Sequence, residues 1–216
     1  FIGVEIFNIL LLLATGWMVY FTAKAYQFKY AFLAGVIALF SHIFLDNTIS
    51  GLTEPLNAFL LMLVVWMFAK KKVVPAAILA GFLPYARSEG YVIIAVIGFY
   101  LLFVSKHYRA FLWLIAGSVV MNFIGWAVEG DPLWIYNSNP YIKVQVKQKS
   151  TCGSGELLHY VKAAGYTFTK IASILFVIGG AVLSLRYLRN FRDKRMQQLF
   201  YLVLGVFVLY FAVHSL

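Results

Sequence analysis

Eight apolar stretches, parted by short charged or turn-rich segments, run along the chain at residues 6–21, 30–45, 55–69, 73–86, 91–104, 110–128, 167–185 and 199–216. Six of them read as full membrane-crossing helices. The stretches 73–86 and 91–104 differ in being half-length: fourteen helical residues rise only about 21 Å, against a hydrocarbon core of about 30 Å. Between them stands Pro84-Tyr85-Ala86-Arg87-Ser88-Glu89-Gly90. The two halves therefore form either one interrupted helix or a hairpin with opposite charges at its tip. The predicted fold is all-α: a polytopic helical membrane protein with about six full transmembrane helices plus one broken helical hairpin. Residues 1–216 form a single transmembrane domain, and residues 129–166, rich in Gly, Pro, Asn and aromatic side chains, form its long loop.

The charges choose between the two forms of the broken segment. With a hairpin, the loops at 24–29, 70–72, 105–109 and 186–195 share one side of the membrane. They hold twelve of the 18 Lys and Arg but a single acid, Asp193. The other seven acids fall on the opposite side, and the positive-inside rule makes the basic side cytoplasmic. A single crossing would place Lys70–Lys72 and Arg109 on opposite sides and erase the bias, so the hairpin is expected. The 129–166 loop is then extracytoplasmic.

Composition agrees with this class. At 62% hydrophobic and 12% charged residues, there is too little polar surface to cover a soluble domain. The net charge of +10 is dispersed in short clusters between apolar runs, which reads as topology and excludes nucleic acid as the expected partner. Cys152 is the only cysteine, so an intrachain disulfide is ruled out. The chain opens on Phe1 and is apolar from the start, so upstream sequence is expected. No repeat is visible, which disfavours an inverted-repeat transporter.

Candidate chemistry gathers at the expected extracytoplasmic end. Charge at membrane depth costs roughly 2.5–3.5 kcal/mol per residue, so Arg87 and Glu89 are expected to line a protein interior or a watered cavity. On a regular helix, residues two apart do not face one another. Each therefore needs another partner, or the backbone is irregular here. Arg87 can hold a phosphate and Glu89 can orient a hydroxyl; a structural ion pair at the tip is the plainer alternative. Glu54 precedes Pro55 at a helix start, where the helix dipole alone favours a carboxylate. Asp46 ends the run 30–45, and His42 lies one helical turn before it. Lys143, in an alternating Lys-rich part of the loop, suits an anionic lipid, a phosphate or plain solvent. Trp134 and its aromatic neighbours suit a membrane-interface belt or a sugar-stacking surface. Three carboxylates and a guanidinium at one surface would supply a general base, a phosphate clamp and ligands for a divalent cation, magnesium or manganese.

Three motifs, in order, carry a resemblance. Ser50-Gly51-Leu52-Thr53-Glu54-Pro55-Leu56, Ala86-Arg87-Ser88-Glu89-Gly90 and Gly130-Asp131-Pro132-Leu133-Trp134 together resemble segments of the GT-C class of integral-membrane glycosyltransferases, in particular bacterial mannosyltransferase-like proteins. The likeness covers about residues 1–140. Ser88 stands where that class usually has Pro, and the class's acidic first loop would precede Phe1. The resemblance implies inverting transfer of a sugar from a polyprenyl-phosphate donor on the extracytoplasmic face of a bacterial inner membrane. On it, Asp46, Glu54 and Glu89 are the candidate catalytic carboxylates, and Arg87, His42, Asp131, Lys143 and Trp134 the candidate substrate contacts. The alternative is a non-catalytic membrane subunit of a larger assembly, and a transporter comes third.

Overall fold

A computed structural model describes residues 2–40 and 42–138, all as helices and connecting turns. The apolar stretches 167–185 and 199–216, Lys143, Cys152 and the rest of the loop past Ser138 lie outside the described residues. In order, α1 (Ile2–Ala25), α2 (Ala31–Leu39), α3 (His42–Ile49) and α4 (Glu54–Ala69) precede the broken segment. That segment comprises α5 (Val73–Ala80), α6 (Leu83–Ala86), α7 (Gly90–Phe99) and a π-helical turn, Tyr100–Val104. Then come α8 (Tyr108–Leu112), a 3-10 turn, α9 (Ala116–Glu129) and α10 (Trp134–Asn137).

The expected span count does not hold among the described residues, where two helical stretches are long and apolar enough to cross a membrane: Ile2–Ala25 and Tyr108–Glu129. Both turn large apolar side chains outward, with Trp17 57% and Phe123 63% exposed. The stretch 30–45, expected as one span, divides instead. Phe40 leaves helical geometry (φ −96°, ψ 16°) just before the polar pair Ser41-His42, so α2 has only nine residues and α3 eight. The stretch 55–69 forms a continuous helix of 16 residues, which rises about 24 Å and falls short of the hydrocarbon thickness.

Helix stops follow the basic residues. Gln27, Lys71 and Lys106 all adopt positive φ just past a helical segment. At Lys71, the cap closes with Lys71 N–H donating to the Phe68 carbonyl and Lys72 N–H to the Met67 carbonyl, both at 2.9 Å. A cation here also meets the negative end of the helix dipole.

The core lies where the broken segment meets α4 and α8. Val64, Ala77, Leu83, Ile97 and Leu101 are fully buried in it. Small residues on α5 (Ala76, Ala77 and Ala80) let that helix approach its neighbours closely. At the other end, Asn8 of α1 donates to the Leu52 carbonyl at 2.9 Å and ties the 50–53 turn, and so the start of α4, to α1.

Candidate functional site

Helix runs from Val73 to Ala86 and again from Gly90 to Val104. Between them the chain doubles back. Seven residues of continuous helix would separate Leu83 from Gly90 by about 10 Å along the axis. Instead, a Cβ on Gly90 would fall 2.3 Å from the Leu83 carbonyl carbon, so only a residue without a side chain fits. Arg87 is the residue that turns: its backbone is extended at φ −155°, ψ 149°. The turn is closed by Arg87 N–H to the Leu83 carbonyl at 3.0 Å and Gly90 N–H to the Arg87 carbonyl at 2.9 Å.

The extended backbone removes the objection that residues two apart cannot face each other. Arg87 Nη2 donates to Glu89 Oε1 at 2.7 Å and Nε donates to Oε2 at 3.1 Å, a forked pair. The third donor, Nη1, pairs with Oε1 of Glu54, 33 positions earlier at the first residue of α4. Glu54 therefore meets the site through Arg87. Its other oxygen, Oε2, is buried with no hydrogen-bond partner among the described residues.

These groups lie in the break between apolar helices, where Arg87 and Glu89 hold each other in their charged forms. Hydrogen bonding to Arg87 outweighs desolvation and holds the Glu89 carboxyl down at about 2. Hydrogen bonding to Glu89 likewise pushes the Arg87 guanidinium above its ordinary value. Two carboxylates around one guanidinium leave the cluster with a net charge of −1. Among the described residues, three of the five guanidinium N–H groups are engaged and the other two have no protein acceptor.

A cavity of about 460 Å³ opens beside the turn, lined by Tyr85, Arg87, Ser88, Glu89, Tyr91 and Trp134 among others. It combines aromatic faces, hydroxyls, a carboxylate and a partly exposed cation (Arg87 side chain 29% exposed). The Tyr85 hydroxyl lies 2.9 Å from Ser118 Oγ, which fixes the α6 ring against α9. The Trp134 indole N–H is buried with no partner among the described residues, an arrangement that costs about 1–3 kcal/mol unless something offsets it.

The structure brings Arg87, Glu89, Glu54 and Trp134 together and leaves other candidates apart. Asp46 is exposed on α3 and does not line the cavity; its main-chain carbonyl accepts the Ser50 hydroxyl at 2.7 Å. Asp131 shapes a turn, accepting the Leu133 N–H at 2.9 Å and the Asn137 amide at 2.8 Å. His42 opens α3 in backbone only, its side chain not being among those described. Among the described residues no three His, Cys, Asp or Glu side chains converge, and both site carboxylates are committed to Arg87. That arrangement does not fit a divalent cation. Tyr85 and Tyr91 line the cavity although neither is a candidate from the sequence, since a Tyr in an apolar stretch reads as one more large side chain; Ser88, notable in the sequence only for replacing a Pro, lines it too. Compared with known proteins, the chain matches no family model, no curated protein and no solved structure.

Proposed function

We propose that the chain is a polytopic membrane protein that transfers a sugar from a lipid-phosphate donor on the extracytoplasmic face of a membrane, with the cavity at the 87–89 turn as its donor site. The observation that carries this reading is the guanidinium of Arg87, held by two carboxylates at the wall of an aromatic, hydroxyl-bearing cavity where two half-length apolar helices break. The guanidinium offers a departing phosphate directional N–H donors rather than net positive charge, since the cluster carries −1 until a carboxylate takes up the acceptor's proton, and aromatic faces with carboxylate acceptors suit a sugar. The sidedness is supported by the charge asymmetry of the sequence and by α4, which, though shorter than the hydrocarbon thickness, holds Glu54 of the site at one end and Lys70–Lys72 at the other, about 24 Å apart along the helix. The membrane in question is a bacterial inner membrane, and the resemblance to GT-C enzymes is consistent with this chemistry.

In this mechanism an acceptor hydroxyl gives its proton to a carboxylate as its oxygen bonds to the sugar's anomeric carbon. The bond from that carbon to the phosphate oxygen breaks, and the electron pair leaves on the phosphate, which the guanidinium of Arg87 receives. A carboxyl held near 2 is a poor base. Glu89 gains basicity only as the leaving phosphate competes for the guanidinium, which couples proton removal to departure of the leaving group.

A second reading, a non-catalytic subunit of a larger membrane assembly, is favoured by one observation: Arg87 joins the start of α4 to the 87–89 turn and so can serve as architecture alone. One experiment separates the two. Purified protein is supplied with a radiolabelled hexose on a polyprenyl phosphate, and transfer and melting temperature are measured for wild type and Arg87→Ala. Lost transfer with a small change in melting supports the enzyme. Absence of transfer by wild type, or unchanged transfer by a less stable Arg87→Ala, supports the subunit.

A further inference from the structure

The segment after α9 is folded back onto that helix by one side chain. Asn122 donates from Nδ2 to the Pro132 carbonyl at 2.7 Å, and its Oδ1 accepts the Ile135 N–H at 3.2 Å. The two bonds bracket Leu133 and Trp134. The Trp134 ring then lies against Gly125, three residues beyond Asn122 and so on the same face of α9. A Cβ on Gly125 would fall 2.1 Å from Trp134 Cδ2, inside the ring's own volume. In that seat the ring walls the cavity that holds Arg87 and Glu89, while its N–H is buried with no partner among the described residues. A seat that leaves a donor unsatisfied is not held by the indole's own bonds. The clamp across residues 132–135 supplies what the ring lacks.

We propose that Asn122 is a positioning residue, which fixes Trp134 as the sugar-facing wall of the cavity and thereby sets its preference for a hexose-bearing lipid phosphate over the lipid phosphate alone. The flat apolar face of an indole matches the C–H face of a pyranose ring and offers nothing particular to a phosphate. The choice of ligand rests on the sugar-transfer reading above, whereas the geometry of the clamp does not.

The test has a ligand-free arm and a ligand arm. Trp134 emission is obtained as the difference between wild type and Trp134→Ala, and the same difference is taken in an Asn122→Ala background. Without the clamp, Trp134 should emit further to the red and be quenched more by iodide. Gly125→Ala, which evicts the ring directly, should do the same and serves if Asn122→Ala does not fold. In the ligand arm, a short-chain prenyl-phosphate hexose and the bare prenyl phosphate are titrated separately. Asn122→Ala and Trp134→Ala should each weaken the hexose-bearing probe five- to twentyfold and the bare phosphate less than twofold. The double variant should lose no more than Trp134→Ala alone, since one residue acts through the other. Unchanged Trp134 emission in both Asn122→Ala and Gly125→Ala overturns the proposal, as do additive losses or equal losses for the two probes. If Trp134 is exposed as expected but neither probe binds wild type, the clamp stands and both its sugar-facing role and the donor-site reading fall.

Discussion

Arg87 and Glu89 stand two apart in the chain yet share a forked pair of hydrogen bonds, 2.7 Å and 3.1 Å long, because Arg87 takes an extended backbone in the turn between α6 and α7. In an unbroken helix their side chains would point to different faces. The local extension of a single residue thus creates the pair and doubles the chain back. Through Nη1, Arg87 also reaches Glu54 across the fold.

Arg87→Ala is expected to lower sugar transfer by about a hundred- to a thousandfold, the range seen when one donor to a developing oxyanion is removed. Glu89→Gln should also abolish most transfer, since it keeps the shape but loses the charge. Lys71→Ala, at the far end of α4, should leave rates within about twofold. Transfer assays run beside thermal melts of the same samples check this, and a collapse of melting in step with transfer for Arg87→Ala would assign the residue to architecture.

Acid should weaken the turn over a defined window. Glu89 has a carboxyl near 2 in the folded protein, against an ordinary value of 4.5, so the folded state binds its proton later than the unfolded chain does. Its contribution to stability is therefore complete above about pH 4.5 and disappears as pH falls toward 2. Denaturation of wild type and Glu89→Gln in detergent between pH 6 and 2.5 measures it. The stability gap between the two should narrow as pH falls, and a constant gap would show that the pair contributes nothing.

Gly90→Ala is expected to destabilise the protein by about 1–3 kcal/mol or more, because its Cβ would meet the Leu83 and Pro84 backbone, which cannot rotate aside as a side chain can. Gly130→Ala is the comparison: it sits in open space with φ 74°, so the expected cost is backbone strain alone, about 1–2 kcal/mol. Melting temperatures of the two variants should order them, Gly90→Ala lower.

The membrane orientation predicts opposite labelling of two sites in a Cys152→Ser background. Ser138→Cys should react with an impermeant maleimide in intact cells. Lys71→Cys should react only after the membrane is opened or inverted. The reverse pattern would place the cavity on the cytoplasmic face and remove the support for a lipid-phosphate donor delivered from outside.

Much of the site region was legible where the signal is local. Glu54-Pro55 marks the start of α4, since Pro suits a first helical turn, and Lys70–Lys72 mark its stop. The half-length stretches 73–86 and 91–104 appear in the fold as helix over 73–86 and 90–104, parted at Arg87. The stretch 30–45 divides, against the expectation of one helix, which follows from hydropathy that averages over the polar pair Ser41-His42.

The sequence by itself determined the helices of the described residues, the apolar surfaces that suit a membrane and the break at Arg87, because each depends on residues within a turn or two of one another. Only the tertiary structure decided that Glu54 meets Arg87, that Tyr85 meets Ser118, and that Asn122 clamps Pro132 and Ile135 to seat Trp134. The first two contacts join residues 33 apart and the clamp joins residues 10 and 13 apart. Such pairings follow no helical period. They depend on how whole helices cross, which is set by close packing of small residues such as Gly125 and Gly90, whose importance cannot be read from one chain until the atoms pressing on them are known.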